Sequence, residues 1–65
     1  MSSLGAELPR MMVRAARLLP AHGASGNVGA VEGILAVLAS AAEAIATQDV
    51  VAYVRSHEEL KAVIA

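Results

Sequence analysis

A few side chains in this sequence have the right type to do chemistry: Ser25, His22, His57, Asp49, and the carboxylates Glu58 and Glu59 next to His57. Ser25 sits in GASGN, residues 23–27, which approaches the G-x-S-x-G turn that exposes a nucleophilic serine. The closing glycine of that pattern is replaced here by Asn27. A Ser25–His22 or Ser25–His57 pair backed by Asp49 would supply a nucleophile, a base and an orienting acid. Acyl transfer also needs preorganised oxyanion donors and a substrate cleft. A chain of 65 residues rich in alanine has little material for either. The sequence therefore predicts no catalytic residue and no enzymatic activity.

Metal and nucleotide chemistry fail on spacing. The zinc-protease pattern H-E-x-x-H needs a second histidine four residues after the first, and that position after His57 is Lys61. With no cysteine in the chain, disulfides and thiolate metal sites are excluded. The run GASGNVG ahead of an apolar segment suggests backbone N–H groups around a phosphate. A P-loop, however, requires G-x-x-x-x-G-K-[ST] after a strand, and here Ala30 and Val31 follow the last glycine. The expectation is a helix–helix joint, with Asn27 as the cap of the next helix, and neither a cofactor nor a metal.

Arg10, Arg14 and Arg17 form a charged face. At 100° per residue they fall on one side of a helix, opposite Leu8, Met11, Ala15, Leu18 and Leu19. Such a row could lie on nucleic-acid phosphates. A helix-turn-helix would then need a tight turn and a polar second helix that reads bases. The second segment is instead apolar with two glutamates, and no aromatic residue accompanies the arginines for base stacking.

Three elements must position these groups. Pro9 suits the first turn of a helix, where its missing N–H costs nothing, and Pro20 disfavours helical geometry at Leu19; the first helix is predicted over about 9–19. Asn27 opens a second over 28–46. Its large residues Val31, Ile34, Leu35, Leu38, Ala42 and Ile45 make one stripe, and Gly29, Gly33, Ala36 and Ser40 make a small-residue stripe suited to close helix contact. Thr47 and Asp49 offer start signals for a third over 49–64, although VVAYV also has strand propensity. There Val50, Tyr53, Val54, His57, Leu60 and Ile64 share a helical face, and Ser56 with Glu59 gives a capping-box pattern where the helix could restart.

The predicted fold is thus all-α, one small domain: a helical hairpin or three-helix unit. Chains of this size bury only about 60% of the surface they expose unfolded. This one is 57% hydrophobic, yet has no Phe or Trp and a single Tyr, so it removes little area from water per residue. Its core is expected to be completed by oligomerisation or by docking to a larger protein. The apolar segment 28–46 is nearly long enough to span a bilayer, but Glu32 and Glu43 would each cost about 2.5–3.5 kcal/mol near its centre; no membrane span is expected. A net charge of −1 gives no general attraction to polyanions. No basic and apolar leader is readable at the N-terminus, which suggests a cytoplasmic protein.

The functional expectation is a non-catalytic helical interaction module: an oligomeric scaffold, adaptor or accessory subunit. Its packing residues would be Gly29, Gly33, Ala36, Ser40, Met11, Leu18, Leu35, Leu38 and Ile45. The alternative is a small dimeric nucleic-acid-binding regulator using the face of Arg10, Arg14 and Arg17.

Overall fold

Capping chemistry sets the two longest helices. Asn27, outside helical geometry at ψ 77°, accepts from the Ala30 N–H at 3.1 Å through its side chain. Asp49, in extended geometry, accepts from the N–H groups of Val51 and Ala52 at 3.1 and 3.2 Å. Each cap satisfies N–H groups that a helix start leaves without a partner. In the computed structural model, which describes residues 4–65, the elements are α1 (Leu4–Ala16), α2 (Leu19–Ala24), α3 (Val28–Thr47) and α4 (Val50–Ile64). The all-α expectation holds, and there is no strand among the described residues. VVAYV is the first turn of α4, and no break occurs at Ser56.

The two prolines act differently from their sequence reading. Pro9 lies inside α1, which begins five residues earlier at Leu4. A proline there has no N–H to give the carbonyl four residues back, which is that of Gly5. The Tyr53 hydroxyl from α4 donates to that carbonyl instead, at 3.2 Å. Pro20 does break the helix, but further back than Leu19. Its ring would meet the Ala16 carbonyl in a continuous helix, and α1 ends at Ala16. Pro20 then occupies the first turn of the short α2, so that the predicted single helix over 9–19 is two helices with a bend at Arg17 and Leu18. Gly26, at φ +75°, turns the chain into α3.

The long helices run up, down, up. Only Gln48 and Asp49 join α3 to α4, which makes them an antiparallel hairpin. Gly5 meets Tyr53, Glu7 meets His57, and Met11 and Arg14 line a groove with Lys61 and Ile64; α1 therefore lies parallel to α4 and antiparallel to α3. The core is Leu8, Met11 and Ala15 from α1, Ile34 and Ala41 from α3, and Leu60 from α4. Leu18, Leu19, Val37, Leu38, Tyr53, Val63 and Ile64 pack partly around it. Leu8 and Leu60 are the largest side chains fully withdrawn from solvent.

Helix α3 is rotated relative to its sequence reading. Its inward face is Ile34, Val37, Leu38, Ala41 and Ala44, while Leu35, Ala42 and Ile45 from the predicted stripe are exposed. Ala41 and Ala44 on α3 and Ser56 on α4 are all buried, and Ala44 and Ser56 border the same groove between the two helices. Small residues there let the backbones come together. On α4 the inward face is Tyr53, Ser56, His57, Leu60, Val63 and Ile64, and Val50 and Val54 face solvent.

Candidate interaction surface

The residues capable of chemistry are dispersed. Ser25 Oγ donates to the backbone carbonyl of His22 at 3.0 Å, which closes the turn after α2. Asp49 caps α4 at the other end of α3, and the twenty residues between span about 30 Å. No Ser–His–Asp arrangement can form across that length. His57 does find a carboxylate that spacing could not show: its Nε2 lies 3.5 Å from Glu7 Oε1, fifty positions away in the chain. Such a pair lacks a nucleophile, and at that length it is a loose bridge pinning α1 to α4. Glu58 lies 3.6 Å from the Lys61 ammonium, an exposed pair along one helix. Among the described residues no group of three or more acidic, histidine or cysteine side chains is arranged to hold a metal.

The surface itself carries the more unusual feature. Val28, Leu35 and Ile45 on α3, Val50, Val51 and Val54 on α4, and Val13 on α1 are all large apolar residues left exposed. On α3, Val28, Leu35, Ala39, Ala42 and Ala46 recur at three, four and seven positions, all exposed, and so form one row along the side away from the core. Glu32 and Glu43 flank this row, and both are exposed. By length and composition α3 is long and apolar enough to cross a membrane.

The expected packing residues divide between core and surface. Met11 is buried, and Leu18 and Leu38 pack partly against the core. Leu35 and Ile45 are exposed. Gly29, Gly33, Ala36 and Ser40 are exposed too; Gly33 borders an open groove with His22 and Val63, and Ser40 one with Ala52 and Ser56. A Cβ added at Gly33 would meet nothing within 4 Å, and one at Gly29 would meet only Asn27 Oδ1 at 3.9 Å. Arg10, Arg14 and Arg17 are all exposed, with no ion pair to any of them among the described residues.

These features define a small all-α protein with three long helices, a thin core and an apolar outer row on its central helix. No protein-family model matches the chain, and neither a curated protein nor a solved structure gives a significant match to it.

Proposed function

We propose that this chain is a small helical protein–protein interaction module without catalytic activity, which completes its core against another chain as an oligomeric scaffold, adaptor or accessory subunit. The observation that carries this reading is the outer row of α3, where Leu35 is 49% exposed in line with Val28 and three alanines. Each square ångström of apolar surface left in water forgoes about 25 cal/mol. A chain whose fully buried large residues are two leucines has little surplus with which to tolerate that. A second chain laid along α3 would recover it.

The reading is tested at Leu35. Leu35→Glu keeps a good helix former at an exposed position, so the far-UV circular dichroism of the dilute protein should be unchanged. Association, measured by sedimentation of the chain alone or with a captured partner, should be lost. Assembly that survives Leu35→Glu would remove the outer row of α3 from the interface.

The alternative reading, a nucleic-acid-binding regulator, draws on the exposure of Arg10, Arg14 and Arg17. It predicts binding to duplex oligonucleotides that weakens steeply with added salt. Against it stands the character of α3, which would have to read bases with valine, leucine and glutamate. Cytoplasmic residence is part of the same proposal and rests on the sequence alone.

A further inference from the structure

We infer that the occupant of the α3 outer row is a second copy of this chain, seated through the outer side of its α1, in a two-fold dimer held in register by Arg10, Arg14 and Arg17 against Glu32 and Glu43. This rests on the interaction-module reading and specifies its partner. Three observations converge on it. The first is charge: α3 carries two exposed acids and no basic residue, so two α3 helices laid together would oppose glutamate to glutamate. Helix α1 offers the complementary row, three exposed arginines without an ion-pair partner among the described residues, beside the exposed Val13.

The second is where each row sits. Arg14 lines the groove between α1 and α4, on the side of α1 away from α3. Glu43 lines the groove between α3 and α4, on the side of α3 away from α1. A two-fold axis parallel to the helices lays α1 of each copy antiparallel over α3 of the other. That operation brings the outer flank of α1 and the outer flank of α3 to the same edge, with Val13 and Leu35 between the layers. The contact occurs twice and closes, as an isologous interface requires.

The third is spacing. Arg10 and Arg17 are seven residues apart, about 10.5 Å along the helix, and Glu32 and Glu43 are eleven apart, about 16.5 Å. With the helices antiparallel, Arg17 falls near Glu32 and Arg10 toward Glu43. The two-fold keeps the axial levels of the single chain, in which Gly5 lies level with Tyr53 and Glu7 with His57 and the Gln48–Asp49 turn folds α4 back along α3. Arg17 then lies level with Glu32. Arg10 stops about five residues, roughly 7.5 Å, short of Glu43, a gap that the arginine and glutamate side chains span together. In that register Val13 lies level with Leu35, so the two exposed apolar side chains meet between the layers.

Charge exchange with complementation tests the inference. One variant carries Glu32→Arg and Glu43→Arg, and the other carries Arg10→Glu, Arg14→Glu and Arg17→Glu. All five positions are exposed, and circular dichroism of each variant checks that the helices persist. By sedimentation equilibrium, each variant alone should associate at least about tenfold more weakly than the wild-type chain, since like charges then face each other. Mixed in equal amounts, the two should regain wild-type affinity as a one-to-one heterodimer. Variants that self-associate like wild type, or a mixture that stays monomeric, would overturn the register. A wild-type chain that is monomeric throughout the concentration series would overturn the homodimer, while leaving open to capture experiments a different protein as the partner of the same row.

Discussion

Tyr53 shows how a single proline recruits a distant partner. Pro9 removes the N–H that Gly5 would receive, and the Tyr53 hydroxyl takes its place at 3.2 Å. The two sites should therefore be coupled. Tyr53→Phe should destabilise the chain by about 0.5–1.5 kcal/mol, and should cost measurably less in a Pro9→Ala background, where the helix supplies its own donor. Thermal unfolding of the four proteins in that cycle gives the coupling directly, and equal effects in both backgrounds would show that the two groups do not compensate one another. Asn27 is simpler. Its Oδ1 holds the Ala30 N–H, and Asn27→Ala should cost about 1 kcal/mol, or roughly 4–8 °C in Tm for a domain of this size. The cap was legible in the sequence because capping is local. The Tyr53–Gly5 and Glu7–His57 contacts were not, because nothing in one-dimensional spacing relates positions 48 and 50 residues apart.

Helices α3 and α4 could be bounded from sequence to within a residue or two, whereas α1 could not. Asn27 and Asp49 announce their helices, but Pro9 reads as a first-turn residue, and its place inside α1 goes with a contact distant in sequence, the Tyr53 hydroxyl on the Gly5 carbonyl. The inward face of α3 was misread for a related reason. With valine, leucine, isoleucine and alanine nearly all round, its periodicity does not single out one side. The choice fell to tertiary contact, which buries Ile34, Ala41 and Ala44 against α1 and α4. Two substitutions probe these elements. Gln48 closes α3 at φ 55°, a left-handed geometry that costs a side chain roughly 1–2 kcal/mol; Gln48→Gly should raise stability toward urea. Gly33→Ala should also stabilise α3, by about 0.5–1 kcal/mol, since the added methyl meets open space. If Gly33→Ala lowered stability instead, another chain would have to be packed on the small-residue stripe.

The molecule as a whole measures about 35 × 23 × 16 Å between its Cα atoms, so its thinnest dimension is about two packed helices deep. Few side chains can be deep in a body that thin. The fold class was readable from composition, because an alanine-rich chain without Phe or Trp makes helices easily. Which face would be left uncovered was not, since that depends on how α3 turns about its axis. Truncation should reveal how little surplus the core holds: Leu60→Ala, at a fully buried position, should cost about 2–5 kcal/mol. For a domain this small that approaches the whole folding free energy, and the dilute variant should lose most of its helical circular dichroism at room temperature.

The claim beneath all of this is that a second chain covers α3 and adds stability to a fold that the single chain holds by a small margin. Light scattering across a concentration series, with circular dichroism melts on the same samples, measures it most directly. Mass and Tm should rise together with concentration, as linkage between folding and association demands. A fully helical monomer whose Tm is the same at every concentration would contradict the account, for it would show that the thin core suffices alone.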